Sequence, residues 1–195
     1  SSACALPIFR EKYPKVRLHL TDASSPYLQE WLDLGRLHFA TLINETPQHN
    51  DQAQLMVELD LHLIGSMTSE WAQRSAIDVQ EMLNLPLILP AEPHPLRTRL
   101  SELAKQHHSK LNVYTEANSV TLQIELASAN AGFAVVAEST TRGHVDSKRI
   151  FSIPIRNPSL KRSLVLASSP TLPASKATQV VQEALLGLRH QILLA

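Results

Sequence analysis

Four stretches of the sequence place hydroxyl, amide or proline residues directly before a helical pattern. Ser1 and Ser2 precede the first pattern, Ser24–Ser25 the second, and Asn118–Ser119 a later one. The fourth stretch, Pro90–Leu100, carries two arginines in its first helical turn. Free backbone N–H groups at a helix start, together with hydroxyl groups, bind carboxylates and other small anions. Helix capping uses the same residue types, so ordinary capping is the alternative at each single position.

The sequence contains none of the motifs that usually carry catalysis or hold a cofactor. Its five glycines form neither a phosphate loop nor a dinucleotide fingerprint, and no Gly-x-Ser-x-Gly turn occurs. The single cysteine, Cys4, lies on an apolar helix face, and no His-Glu-x-x-His helix is present. His107 and His108 are adjacent, so they point to different faces of a helix. We therefore expect no enzyme activity, no metal and no cofactor.

Strand and helix patterns alternate along the chain. Val16, Leu18 and Leu20 alternate with polar residues, which predicts a half-buried strand. Ser25–Pro26 predicts an N-cap and the first residue of a helix, which Gly35 ends. The alternation predicts an α/β fold in which parallel sheets are covered by helices and divided between two small lobes.

The other elements follow from the same two periodicities. Asn130 is expected to adopt the left-handed conformation after a helix, and 44–54 reads as a polar surface loop. In open parallel sheets a ligand lies beyond the carboxyl ends of the strands, where helix starts converge, and Ser24–Ser25 stands at such a point. The further predicted strands are 37–43, 55–65 as two abutting segments, 85–89, 111–115, 133–137, 148–155 and 163–167, and the further helices are 1–10, 78–83, 96–108, 119–129 and 175–194.

Composition limits the class of protein. The 195 residues are 44% hydrophobic but only 5% aromatic, which predicts an aliphatic core. Equal numbers of basic and acidic residues, 18 each, differ from the basic surface of a nucleic-acid-binding domain. One cysteine fits a reducing compartment, and no apolar run resembles a membrane helix or a signal peptide. Because the chain begins with Ser, we expect it to be a fragment or a processed product.

Three segments, in their order and spacing, resemble the effector-binding domain of LysR-type transcriptional regulators. The first is Leu6–Leu42, with an apolar helix, Tyr-Pro-x-Val, an alternating strand and Leu-x-x-Gly-Arg-Leu. The others are LPLILPAEPHPLRTRLSELA (85–104) and TEANSVTLQIELASANAGFAVVAES (115–139). Within the family, SSACALPIF and ILPAEPHPLRTRL are most similar to the nitrogen assimilation control type. The chain has His38, Asn130 and Ala137 where the family usually has Asp, Gly and Pro.

The resemblance implies two Rossmann-like lobes of the periplasmic-binding-protein type (type 2). Lobe I would comprise 1–60 and 166–195, and lobe II 61–165. The family's winged helix-turn-helix, its linker helix and a strand before the first helix are not in this chain. The implied function is effector sensing and oligomerisation, as a dimer or tetramer, in a cytoplasmic bacterial regulator that reaches DNA only through the missing domain. The alternative is a free-standing periplasmic-type solute-binding protein, which the composition permits.

The resemblance also implies a ligand site. In responsive family members a small effector, here expected to be anionic, lies between the lobes. Regulators of the nitrogen assimilation control type are thought to act without a coinducer, so an effector-free domain stays open. The resemblance implies neither a catalytic residue nor a metal or cofactor. Carried over by position, the effector-binding residues are Ser1, Ser2, Ser25, Pro95, Leu96 and Asn118.

Overall fold

The computed structural model of the protein describes residues 5–23, 25–44 and 53–187, with side chains from Phe9 onwards. The chain divides into two compact units. Unit 1 comprises Ser1–Glu58 and Ser163–Ala195, and unit 2 comprises Leu59–Arg162.

Helices and strands are interspersed through the described residues, which confirms the predicted α/β class. The helices are α1 (Ala5–Lys12), α2 (Ser25–Asp33), α3 (Val79–Leu83), α4 (Pro95–Gln106), α5 (Val120–Ser128), α6 (Arg142–Asp146) and α7 (Lys176–Gly187). The strands are β1 (Phe39–Asn44), β2 (Ala53–Ser66), β3 (Ile77–Asp78), β4 (Leu87–Leu89), β5 (Val113–Glu116), β6 (Phe133–Ala137), β7 (Ile150–Arg156) and β8 (Lys161–Ser168). Short 3₁₀ turns occupy Glu70–Gln73 and Glu138–Thr140.

Unit 1 buries the apolar face of α2 on an antiparallel strand pair. Strands β1 and β8 pair from Phe39 opposite Ser168 to Asn44 opposite Ser163. Leu32 is fully buried and packs with side chains of both strands. The helix ends as predicted, because Gly35 has a φ of +66° and the Arg36 N–H donates to the carbonyl of Trp31 at 2.8 Å.

The strand predicted around Val16, Leu18 and Leu20 is wrong. These residues form no regular element, and Leu18 and Leu20 are 39% and 64% exposed. An alternating pattern makes a strand only where a neighbouring strand accepts and donates its backbone hydrogen bonds. Among the described residues no strand pairs with this segment, and β1 pairs with β8. The predicted surface loop at 44–54 lies mostly outside the described residues.

Unit 2 is built on a mixed sheet, whereas the sequence predicted parallel sheets, so that prediction holds only for part of the sheet. Strand β4 lies between β5 and β6 and is parallel to both. Strand β2 is antiparallel to both β6 and β7, and β3 is parallel to β7. Sequence alternation does not fix strand direction when a long stretch of chain separates two paired strands, as it does β2 from β6. Strand β2 is also one continuous strand rather than two abutting segments, since no turn residue interrupts it.

Helices cover both faces of this sheet. On β2, Leu61 and Leu63 pack with α3 and α4, whereas Ile64 packs with residues of α5. On β6, Val135 packs in the cluster with α3 and α4, and Val136 packs in the cluster with α5. This period of two sends successive side chains to opposite faces and sets the positions of the two long helices, α4 and α5. No described helix has the length and apolar character needed to cross a membrane.

Candidate functional site

The starts of α4 and α5 lie side by side in unit 2. They follow the parallel neighbours β4 and β5, whose carboxyl ends therefore meet at one edge of the sheet. The backbone N–H of Ala117 donates to the carbonyl of Leu89 at 2.9 Å. The N–H of Ala91 donates to Oδ1 of Asn118 at 2.9 Å. These bonds join the two connecting loops, so both helix starts face the same polar edge.

His94 caps α4 and is a residue that sequence reasoning missed. Its backbone is extended (φ −110°, ψ 133°), and its Nδ1 accepts the N–H of Leu96 at 3.1 Å. Because Nδ1 accepts, the neutral ring carries its proton on Nε2, which is a hydrogen-bond donor. Burial, and secondly the positive charge of Arg162, lowers the pKa of His94. The available signal was the position of His94 directly before Pro95, which occupies the first helical position.

The two predicted residues that follow His94 differ in exposure. Pro95 is exposed, whereas Leu96 is 2% exposed and packs in the core beneath α4. The Leu96 N–H is already bonded to the imidazole of His94. Their assignment to an effector site stays a prediction.

Asn118, also predicted, has a defined orientation. Its Oδ1 accepts from the loop before α4, and the residue itself is exposed. The amide NH₂ group is therefore directed away from that bond and offers two donors. Ser119 caps α5 through a longer contact, in which its Oγ accepts the N–H of Leu122 at 3.5 Å.

Arg97 connects three parts of this edge. Its side chain is only 14% exposed; Nη1 lies 3.5 Å from Oε1 of Glu116 and Nε lies 3.8 Å from Oε1 of Glu92. Both nitrogens are buried and lack a hydrogen bond at these distances. The guanidinium group thus holds the first turn of α4 between the preceding loop and the end of β5. Two residues further along α4, Nη1 of Arg99 donates to the carbonyl of Lys161 at 2.5 Å.

The predicted residues of unit 1 are only partly described. Ser25 is the first residue of α2, and its Oγ accepts the N–H of Ile43 at 3.1 Å. The hydroxyl therefore links the helix start to β1, and its contact with an effector stays a prediction. Ser1 and Ser2 lie outside the described residues.

A second polar cluster in unit 2 surrounds His62. Its Nδ1 lies 2.9 Å from Oγ of Ser152, which is 3.4 Å from Oγ1 of Thr141. Burial lowers the pKa of His62, and the carboxylates of Glu138 and Asp60 oppose that effect. Within 5–23, 25–44 and 53–187, no three His, Cys, Asp or Glu side chains are grouped so as to hold a metal ion.

Sequence comparison relates nearly the whole chain to one family. The family described as the LysR substrate binding domain matches residues 3–188. The chain is 26% identical over 191 residues to the nitrogen assimilation regulatory protein nac of Klebsiella aerogenes, and 24% identical to that of Escherichia coli strain K12. The match covers 96% of this chain and 62% of each relative, so the chain spans under two thirds of their length.

Solved structures share the fold. The regulatory domain of Synechocystis PCC6803 CcmR, in complex with 2-PG, has a TM-score of 0.80 at 17% identity, covering 96% of this chain and 90% of that one. The effector binding domain of QuiR, in complex with shikimate, has a TM-score of 0.78 at 13% identity, covering 98% and 91%. HinK, a LysR family transcriptional regulator from Pseudomonas aeruginosa, has a TM-score of 0.76 at 19% identity, covering 99% and 66%. The predicted periplasmic-binding-protein-like fold is confirmed.

Proposed function

Since the chain belongs to the LysR substrate binding domain family, we propose that it is the effector-sensing domain of a bacterial LysR-type transcriptional regulator. The related nac proteins are regulators, and the match covers 62% of their length. DNA binding is assigned to another part of the full-length protein. The zero formal net charge of this chain supports that division, because DNA-binding surfaces are usually basic.

The proposed effector is a small anion that contacts the starts of α4 and α5 in unit 2. The observation that carries this proposal is the set of donors at that edge. The imidazole of His94 offers Nε2–H, and the amide of Asn118 offers its NH₂ group. Two adjacent helix starts add partial positive charge, which favours anionic groups. The likeness to domains solved with shikimate and with 2-PG is consistent with a ligand-binding role.

A charge substitution at Asn118 tests the effector site. Asn118→Asp keeps an oxygen acceptor for the Ala91 N–H but removes the NH₂ donors and adds a negative charge. We expect affinity for a small carboxylate or phosphate to fall at least about tenfold, since each lost charge-assisted contact is worth roughly 1.5–3 kcal/mol. Calorimetric titration against a panel of small carboxylates and phosphates measures it. The stability of the variant should stay close to that of the wild type.

The matched control is Gln106→Glu. It makes the same change in charge at the exposed far end of α4. Equal affinities of the Asn118→Asp variant and the control for a bound anion would remove Asn118 from the site. If no member of the panel binds the wild-type domain, the effector-free alternative is favoured.

The remaining proposals follow from the same assignment. We place the protein in the cytoplasm, as a homo-oligomer without catalytic activity. Exposed apolar residues on α5 support self-association, since Val120 and Leu122 are 40% and 49% exposed. The alternative, a periplasmic solute-binding protein, requires a signal peptide. Sequencing the coding region upstream of the Ser1 codon distinguishes it from a regulator, which requires a helix-turn-helix pattern there.

A further inference from the structure

We propose that His94 makes the start of α4 sensitive to pH, capping the helix when its imidazole is neutral and releasing it when the imidazole is protonated. The cap exists whether or not an effector binds. Its consequence for ligand binding rests on the proposed function, because the same helix start belongs to the proposed effector site.

The cap depends on an acceptor that protonation removes. Nδ1 of neutral His94 accepts the N–H of Leu96, the second residue of the helix. An imidazolium ion carries a proton on both nitrogens and has no acceptor left. Elsewhere in the described chain, the helical turns with a side-chain cap use Ser69, Ser119 and Ser175, whose hydroxyls accept at any ordinary pH. His94 is thus the titratable member of this group.

The surroundings oppose the charged form. A helix start carries partial positive charge, which repels an imidazolium ion. The imidazole is half-buried, and the guanidinium of Arg162 on β8 acts on it with the same sign. Both effects lower the pKa of His94 below its ordinary value. Two carboxylates also lie at this edge, and both are within 4 Å of the Arg97 guanidinium. The charged groups around the helix start are Arg162 from β8, Glu92 from the preceding loop, Glu116 from the end of β5, and Arg97 and Arg99 on α4.

The direction of the pH effect follows from this lowered pKa. The cap is fully formed above the ordinary histidine pKa of about 6.5. It is lost as the pH falls through the lower pKa of the folded state. Acidification therefore frees the Leu96 N–H and loosens the first turn of α4. That turn includes Pro95 and Arg97, whose side chain contacts Glu92 and Glu116. Because the proposed anion site uses the same helix start, its affinity for an anion should change over the same pH range as the cap.

Nuclear magnetic resonance of the ligand-free domain, with ¹⁵N-labelled histidine, tests the cap directly. At about pH 7.5 we expect the His94 ring to show the Nε2–H tautomer, with a titration midpoint below about 6.5. We expect exchange protection of the Leu96 amide to fall on the order of fivefold once His94 is protonated, the usual effect of losing an N-cap. An Nδ1–H tautomer, or a midpoint at or above the ordinary value, overturns the proposal.

Two variants separate capping from other effects of pH. His94→Asn keeps an N-cap acceptor that does not titrate, so Leu96 protection should lose its dependence on pH. Among the described histidines, His62 also has a lowered pKa, and His62→Gln removes it and should leave that dependence intact. The proposal fails if His94→Asn retains the wild-type pH dependence. These readouts use no ligand, so they are independent of the anion titrations: a formed cap with no anion bound would overturn only the proposed anion site.

Discussion

At the residue scale, single backbone positions decide how the elements of unit 2 meet. Gly132 connects α5 to β6 with a φ of +138°, where residues other than glycine are strained. A Cβ atom at Gly132 would lie 2.7 Å from the carbonyl oxygen of Pro86. That carbonyl accepts the N–H of Phe133, so it has little freedom to move.

The substitution Gly132→Ala should therefore destabilise the protein strongly. We expect a loss of about 2–4 kcal/mol in the free energy of unfolding, from backbone strain and the clash together. Chemical denaturation followed by circular dichroism measures it. The control is Gly143→Ala in α6, where the added Cβ would meet no atom within 4 Å apart from its chain neighbours and the backbone of its own helix. This control should be neutral or stabilising by up to about 1 kcal/mol, and equal losses in the two variants would contradict the argument.

At this scale the ends of helices could be predicted from the sequence, whereas hydrogen bonds and ion pairs between distant residues could not. Gly35 and Asn130 stop helices because their residue types tolerate positive φ, and both adopt it. The pairing of Arg97 with Glu116 and the bond between Asn118 and Ala91 join residues well separated in sequence. They depend on β4 and β5 being neighbours, which hydrophobic periodicity does not specify. The capping role of His94 was missed because histidine is an uncommon N-cap.

At the element scale, periodicity predicted whether an element exists better than how it pairs. The strand Phe133–Ala137 was predicted with its observed bounds, because a short apolar run that follows a helix end is typical of a buried strand. The alternating segment at Val16–Leu20 failed, because a strand also needs a partner. Two short elements, β3 and α6, were not predicted, since two and five residues are too few to establish a period.

Helix α4 links the core of unit 2 to the proposed effector site. Leu96, Leu100 and Ala104 form its buried face, while its first turn carries Arg97. A cavity beneath the helix would therefore loosen both the packing of the core and the first turn that carries Arg97. Leu100→Ala should lower the free energy of unfolding by about 2–5 kcal/mol, since Leu100 is fully buried.

Thermal and chemical denaturation of the Leu100→Ala variant provides the measurement. Leu20→Ala makes the same change at a side chain that is 64% exposed, and we expect it to cost less than about 0.5 kcal/mol. A loss at Leu100 no larger than the loss at Leu20 would mean that α4 does not depend on its buried face.

At the scale of the whole molecule, each unit has its own core. The core of unit 1 joins Leu28 and Leu32 to residues of β1 and β8, and unit 2 has two clusters, one on each face of its sheet. Composition predicted aliphatic cores, and the buried side chains are mostly Leu, Ile, Val and Ala. The alternation of strands and helices predicted two lobes, but only the family resemblance implied that the first lobe combines both ends of the chain, because the chain leaves unit 1 and returns to it about a hundred residues later.

The exposed apolar residues of α5 lead us to predict that the domain self-associates. Val120 and Leu122 on α5 expose large apolar surface, which burial against a second copy would remove from water. We expect the wild-type domain to associate at concentrations on the order of 100 μM and Leu122→Glu to dissociate it, as the desolvation of a carboxylate opposes burial. Light scattering coupled to size-exclusion chromatography measures the mass. Thr121→Glu adds the same charge at the neighbouring exposed position and should dissociate the protein less. A wild-type monomer at that concentration, or equal effects of the two variants, would contradict a role of Leu122 in the interface.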